Sequence, residues 1–576
     1  MLNYIKVHKS ETFFVFLITI FALVLRLVAL HNFGDLWVDE LFSFYFANKK
    51  SLLEILASLF CEDFHVPLYF VLLHYWIKIF GQSDFTLRVL GCILTTCSIP
   101  VCFYVVKNLF GNKTCAYLSA LFLAIQAFNI HYSTEVRFYG MSITLILLSS
   151  YFFAKLVQNI LHIRYAIGYL LSSILLLYTY NFSFMFVFCQ FIIGLVYILL
   201  KKKESLFKFI KIYLIIAFLY IPVLIYILHN IFMYKNAILS FYRDVIGFEI
   251  SLIFTYFLTC FSNIFDQFIT NDIMLSRYML KNIFNLYLVA FAVIPISIGF
   301  VGLINVVVKK IKDTNFILFS VPSIILILIQ LVLVLSHQLA LTFRYTVATT
   351  TVLLIISVCG VCLLKNKFLR VFLISLWLFV NCTYYFVAPH SALNRQLVYT
   401  KLFLKEYNNT DIKSSDYVMI SRFGKVLTKY VNKGIRIDFD TYDAFLLGIR
   451  PYDIEFIFGK NFADKLNRKN AKTYLYEYLI TDYPSAVLVN NLHNKCFSQM
   501  KKGQKFILIT DETNYMETLP EIQAMFKNID SYRRSAIYYP LAARIVEDII
   551  FAAGQDLKLI NVKRTDSFFS IFVFEK

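Results

Sequence analysis

The stretch TFFVFLITIFALVLRLVALHNFGDLWVDELFS (residues 12–43) decides the fold. It opens with an apolar run long enough to cross a bilayer as a helix, and then brings Asp35, Asp39 and Glu40 within a few residues. Runs of about 18 or more apolar residues mark spanning helices. Basic residues precede the run and no small-residue cleavage site follows it, so it reads as a retained anchor rather than a removed signal. Asp39 and Glu40 then stand side by side at the rim of a hydrophobic layer, which asks for a reason.

Composition extends this reading to the whole chain. Of 576 residues, 59% are hydrophobic and 16% charged, whereas soluble domains carry roughly 25% charged residues. Repeated apolar runs therefore predict a polytopic helical membrane protein. The net charge of +19 does not point to nucleic acid, because the Lys and Arg excess sits in short loops between apolar runs, with no basic-aromatic surface. Most of the 11 cysteines, among them Cys92, Cys97, Cys102, Cys189, Cys359 and Cys362, fall in apolar segments and read as small hydrophobes. No disulfide framework is legible, and the chain has no P-loop, no GxGxxG opening a helix and no HExxH.

Spanning helices are predicted near 13–30, 89–107, 115–131, 139–157, 164–180, 184–200, 209–228, 284–308, 315–335, 345–364 and 368–388, about 11 spans in all. With the N-terminus in the cytoplasm, alternate loops carry Lys107 and Lys113, Lys201 to Lys203, Lys309, Lys310 and Lys312, then Lys365 and Lys367. The first loop on the other side is acidic, with Asp35, Asp39, Glu40, Glu54, Glu62, Asp63 and Asp84. That asymmetry orients the chain in the cytoplasmic (inner) membrane. PLYFVLLHYWIKIFG (67–81) reaches only roughly 22 Å as a helix, and is expected at the membrane surface with His74 and Lys78 on one face. SLLEILASLF (51–60) is an amphipathic interfacial helix opened by a Ser51–Glu54 capping box. FEISLIFTYFLTCFSNIF (248–265) is read as re-entrant or interfacial, since a crossing there would invert every later loop. From 389 the composition turns polar, and the apolar runs DYVMI, IRIDFD, AVLVNN, KFILITDE and FFSIFVFEK predict a soluble extracytoplasmic α/β domain over 389–576. The remainder, 1–388, is the membrane domain, with its first extracytoplasmic loop at 31–88.

Several candidate residues lie in the outer loops. Adjacent residues on a helix do not share a face, so of Asp39 and Glu40 one at most addresses a given cleft. The ordinary reading is solvated charge or a helix-dipole partner; the chemical one is a general base toward a hydroxyl. HYSTEVRFYG (131–140) places Glu135 and Arg137 in a turn at headgroup depth, where lone charges are costly. The pair could simply satisfy itself, or Arg137 could address a phosphate. HQLALTFRYTVA (337–348) puts Arg344 and Tyr345 at the mouth of a span. Arg88 and Lys78 are further available cations, and His65 precedes the surface helix. Carboxylates and cations from several outer loops suit an anionic headgroup on a lipid tail. A DxD at Asp438–Asp440, the type that holds a metal and a nucleotide sugar, is too short to carry weight.

The succession DLWVDELFS, FHVPLYFVLLHYWIKIFG, FTLRVLG, VVKNLFGNKTCAYLSALFLA and IHYSTEVRFYGM resembles the N-terminal half of membrane glycosyltransferases of the GT-C class. It is most similar to the bacterial branch of lipid A aminoarabinose transferases and lipopolysaccharide-core galacturonosyl transferases, with protein O-mannosyltransferases more distant. The resemblance covers roughly residues 10–160 and does not extend to the C-terminal domain. It implies a GT-C bundle with interfacial helices, and a hexosyl or pentosyl transfer from a polyprenyl-phosphate sugar to a lipid, glycan or protein acceptor. Asp39 of the Asp39–Glu40 pair would be the base. The family's QEAR-Y loop corresponds to Glu135, Arg137 and Tyr139, and its HPPLY element to His65, Pro67 and Tyr69. Val66 and Thr134 depart from the family pattern without removing a charge. A lipid phosphate is a good leaving group, so attack from the opposite face predicts inversion, with Arg and His stabilising the departing phosphate. No ligand spacing demands a cofactor, although Glu and Asp could hold a divalent ion. A lipid-linked-sugar flippase or transporter would favour acids buried mid-span, and a membrane-anchored assembly protein would leave the acidic loop without a task.

Overall fold

The computed structural model describes residues 2–32, 34, 36–62, 65–245, 257, 260–262, 286–335, 346–387, 399–420, 429–431, 433–438, 485–510, 549–564 and 570–576. The chain forms two compact units. One comprises Met1–Gly34, His65–Ile227 and Val245–Gln396, the other Asp35–Phe64, Leu228–Asp244 and Leu397–Lys576. Residues 35–64 of the first outer loop group with the C-terminal residues, and the rest of that loop with the first, helical unit. Within the second unit the Leu36 N–H donates to the Tyr430 hydroxyl at 3.2 Å, and the Lys429 ammonium lies 5.2 Å from the Phe44 ring centroid.

The helical unit is built from α1 (Leu2–His31), α4 (Leu68–Phe80), α5 (Asp84–Thr96), α6 (Ser98–Phe110), α7 (Lys113–Ile125), α8 (Ala127–Ser133), α9 (Tyr139–Gln158), α10 (Ile163–Leu177) and α11 (Ser183–Lys201). It continues with α12 (Leu206–Val245), α13 (Leu286–Lys310), α14 (Thr314–Leu335), α15 (Val347–Cys362) and α16 (Lys367–Val387), although the end of α12 belongs to the second unit. Each predicted span overlaps a helix among the described residues, and α12 runs on past the expected end at 228. Among the described residues seven helices are long and apolar enough to cross a membrane, or eight if the bent pair α7 and α8 is one span.

Helix α1 shows the logic of the bundle. Val15, Ala22, Arg26 and Ala29 are buried, while Phe13, Phe16, Ile20, Val24 and Val28 remain exposed, as a lipid-facing surface requires. In its N-terminal half Glu11 forms ion pairs with Lys107 and Lys113, tying α1 to the end of α6 and the start of α7. Those two helices reverse through Gly111 and Asn112. Gly111 has φ +69°, the left-handed conformation that closes α6. The Asn112 side chain accepts the Cys115 N–H at 3.1 Å and opens α7.

Helix α4 buries Tyr69, Phe70, Leu73 and His74. His74 and Lys78 do not share an environment as expected: the last turn leaves Lys78, Ile79 and Phe80 exposed before Gly81 ends the helix. Of the segment 248–265 only 257 and 260–262 are described. Cys260 and Phe261 are buried in the helical unit, and their carbonyls accept from Gln126, Trp377 and Asn381. Buried backbone demands that satisfaction.

In the second unit α2 (Val38–Ala47) and α3 (Leu52–Glu62) come from the first loop. The Ser51 hydroxyl caps the Glu54 N–H at 3.2 Å, while Glu54 reaches back to Lys50 rather than to Ser51. Of the expected apolar stripe on α3, Ile55 and Leu59 are buried, whereas Leu52 and Leu56 are exposed. After α17 (Tyr399–Asn408), strands β1 (Tyr417–Ile420), β2 (Ile435–Asp438), β3 (Lys505–Thr510), β4 (Lys558–Arg564) and β5 (Ser570–Glu575) form one sheet in the order β2-β1-β3-β5-β4. The first three are parallel and the last two antiparallel to their neighbours. Val418–Ile420 and Phe506–Ile509 are buried throughout, the continuous apolar pattern of strands covered on both faces. Asp416 joins two strand starts, its carboxylate accepting from the Lys413 and Lys505 N–H groups. AVLVNN is helical, not extended: it lies in α18 (Ser485–Lys495), where Leu488 and Leu492 bury at helical spacing. Strand β2, which carries Asp438 of the DxD, stands at the edge of the sheet among the described residues, with Ile435 exposed.

Replacing Asn112 by Ala removes the cap in a two-residue reversal. It is expected to cost about 1 kcal/mol, and Asn112→Gly only a few tenths, measured by thermal unfolding in detergent micelles.

Candidate active site

The site in the helical unit is organised by a break in a span. Helix α7 ends at Ile125, Gln126 is extended (φ −64°, ψ 119°), and α8 resumes with a bend of 56°. Every residue of α8 is buried. Its last turn carries His131, whose Nε2 lies 3.0 Å from Oε1 of Glu135, both side chains almost fully buried. The chain then tightens: the Arg137 N–H donates to the Glu135 carbonyl at 2.7 Å, and the Thr134 N–H and hydroxyl both donate to the His131 carbonyl. Arg137 and Tyr139 are buried as well, and the Tyr139 ring packs on Tyr132 at 4.8 Å.

Helix α5 backs this turn. Its Ser83 cap accepts the Thr86 N–H, and Arg88, Gly91, Cys92 and Thr95 follow along one face. A methyl group at Gly91 would lie 2.6 Å from the Ser133 carbonyl oxygen and 3.0 Å from that of Glu135. Only a glycine lets the carbonyls of the site turn approach α5 so closely. Cys92 Sγ donates to the same Ser133 carbonyl at 3.5 Å. Arg88 is buried, and its Nη1 donates to the Gly34 carbonyl.

His65 is half-buried beside this turn, with its ring 5.6 Å from that of Phe138. Its main chain is held by its neighbours: the Tyr226 hydroxyl donates to the His65 carbonyl at 3.0 Å, the Val66 N–H to Asn181 Oδ1 at 3.2 Å, and the Leu68 N–H to the Tyr178 carbonyl at 3.0 Å. The helical unit therefore brings His65, Glu135, Arg137 and Tyr139 together, with Arg88 on the helix that supports them. Lys78 does not join them; it is exposed, with its ammonium 5.8 Å from the Tyr75 ring centroid. Arg344 and Tyr345 lie outside the described residues.

In the second unit, α2 separates the two adjacent acids. Glu40 is fully buried, and its Oε2 accepts the Trp37 N–H at 3.1 Å, which closes the first turn of the helix. Asp39 is half-buried, and its carbonyl accepts the Ser43 hydroxyl at 3.2 Å. Both carboxylates gain from the positive end of the helix. Among the described residues no three of His, Cys, Asp and Glu gather as metal ligands.

Two residues of the helical unit were missed by sequence reasoning. His131 was visible as the i, i+4 partner of Glu135. Arg26 was absorbed into the apolar run of α1, although an ionisable residue inside a span is a signal in itself.

Residues 64–228 match the family model of dolichyl-phosphate-mannose-protein mannosyltransferase. No curated protein matches the chain. A crystal structure of the Archaeoglobus fulgidus oligosaccharyltransferase, in complex with Zn and sulfate, is similar at 11% identity and a TM-score of 0.44, over 98% of this chain and 88% of that one. The matched segment includes His65, Arg88, Glu135, Arg137 and Tyr139. The family match overlaps the segment whose motifs resemble membrane glycosyltransferases of the GT-C class.

Proposed function

We propose that the protein transfers a sugar, with inversion, from a polyprenyl-phosphate donor to a hydroxyl of a cell-envelope lipid, glycan or protein. The observation that carries this reading is the buried cluster of His131, Glu135 and Arg137 at a broken span, inside the segment matching a family named for a lipid-phosphate sugar. A lipid carrier would keep its tail in the membrane and offer its phosphate and sugar at headgroup depth.

Asp39 is assigned as the base. It takes the acceptor proton while the acceptor oxygen forms a bond to the anomeric carbon. The carbon–oxygen bond to phosphate breaks on the opposite face, and its electron pair leaves with the polyprenyl phosphate. Arg137, Arg88 and His65 would stabilise the phosphate as its charge grows, where burial makes such donors effective. Glu40 would serve the catalytic pair by holding the turn that carries Asp39, its carboxylate capping α2. Glu135, oriented by His131, would position the donor or acceptor through one carboxylate oxygen. The protein would work in the cytoplasmic membrane with its N-terminus inside and this chemistry outside, in keeping with the basic loops of the sequence.

The test is a purified preparation given a panel of synthetic polyprenyl-phosphate sugars, with release of polyprenyl phosphate as the readout. Asp39→Asn is expected to lower kcat by about 10² to 10⁴ at wild-type expression; normal turnover by that variant would remove the base assignment. Gly91→Val, which displaces the Ser133 and Glu135 carbonyls, is expected to lower kcat by about 10²-fold, with a stability loss of about 1–3 kcal/mol. Wild-type protein that moves intact donor across vesicle membranes and releases no phosphate would favour a flippase instead.

A further inference from the structure

Arg26 is fully buried near the C-terminal end of the apolar helix α1, and a buried cation is costly unless the structure needs it. Among the described residues the titratable groups that face it are Cys92 and Tyr385, neither of them a carboxylate. Its hydrogen bonds go to main-chain carbonyls: Nη1 donates to Ala22, one turn back in α1, at 2.9 Å and to Ala124 at 3.3 Å. Ala124 and Ile125 are the last two residues of α7. Their carbonyls have lost their intrahelical donors, because the chain leaves helical geometry at Gln126. The Tyr385 hydroxyl from α16 donates to Ile125. A guanidinium from α1 and a phenol from α16 thus hold neighbouring carbonyls at the negative end of α7, the place where a cation is favoured. Gln126 completes the arrangement, with its side chain bonded to the Cys260 carbonyl and to Asn129.

We propose that Arg26, together with Tyr385, is a positioning residue: it locks the carbonyl end of α7, fixes the bend into α8, and so sets where His131 and Glu135 are presented. The catalytic consequence rests on the transferase reading above, but the structural one does not. The role belongs to the cation and its hydrogen bond rather than to side-chain bulk, so lysine retains most of it and glutamine does not.

The test is hydrogen–deuterium exchange on the full chain in detergent, comparing wild type with Arg26→Gln, Arg26→Lys and Tyr385→Phe. Arg26→Gln is expected to speed exchange across 126–139 by about tenfold while 163–201 keep wild-type rates. Tyr385→Phe should give a smaller increase over the same residues, and Arg26→Lys should return most of the protection. Unchanged exchange at 126–139 in both Arg26→Gln and Tyr385→Phe, or an increase spread evenly over 163–201, would overturn the proposal. Where a donor is turned over, Arg26→Gln should lower kcat by about tenfold or more, with donor KM within about twofold of wild type and rescue by Arg26→Lys. A raised KM at unchanged kcat would make Arg26 a donor contact and overturn positioning. Wild-type protein inactive on every donor would remove the transferase reading and leave the exchange result to decide the role of Arg26.

Discussion

A main-chain carbonyl or N–H that loses its helical partner in hydrocarbon costs several kcal/mol unless another group takes it. The break between α7 and α8 creates that debt at Ala124 and Ile125, and side chains from α1 and α16 cover it. The neighbouring carbonyls of Cys260 and Phe261 are covered in the same way, by Gln126 from the break itself and by Trp377 and Asn381 from α16. A helix that bends where it must be paid for in this way is fixed at one angle. The short, fully buried α8 inherits that fixity, and His131 and Glu135 inherit it from α8.

The same low-polarity surroundings act on the charges. A lone carboxylate at the depth of Glu135 would be expelled or neutralised, but a histidine one turn earlier holds it at 3.0 Å. Main-chain bonds within 134–137 shape the turn that carries it, and Gly91 lets α5 close over its carbonyls. Burial that makes an unpaired group expensive also strengthens its interaction with whatever does pair with it. Cations beside such a turn can therefore address an anion with little competition from water. In the N-terminal half of α1 the triad of Glu11, Lys107 and Lys113 uses ion pairing for a different purpose, tying that helix to the end of α6 and the start of α7.

Much of the helical unit was legible in the sequence because lipid imposes a simple rule: long apolar runs separated by short basic loops. Strands β1, β3 and β5 were legible for a similar reason, since buried strands read as continuous apolar runs. The failures have local causes. AVLVNN fits a strand over its first four residues, and only Leu488, Leu492 and the buried Cys496 beyond them reveal helical spacing. Lys78 sits four residues from His74, yet α4 ends in its last turn, so equal helix phase did not give equal burial. The site was half legible. Glu135, Arg137 and Tyr139 stood in a charged turn between spans, whereas Arg26 acts through carbonyls almost a hundred positions away, and no local pattern encodes that contact.

The adjacency of Asp39 and Glu40 has a physical resolution in helix geometry. Successive side chains on a helix point about 100° apart, so a pair of neighbouring acids cannot share a task. Glu40 stands at the third position of α2, turned inward and bonded to the N–H of Trp37, which starts the helix. Asp39, one residue earlier, is left half-buried on another face of the first turn. If both acids served only the helix dipole, burying Glu40 completely would be a needless expense, because an exposed acid gains from the dipole as well. Its burial is understandable as the fastening that gives the first turn of α2 one conformation. A carboxylate on a turn that frays would make a poor base, since proton transfer depends on placement. Glu40 thus contributes through geometry, while Asp39 stays half-buried on another face of the same turn.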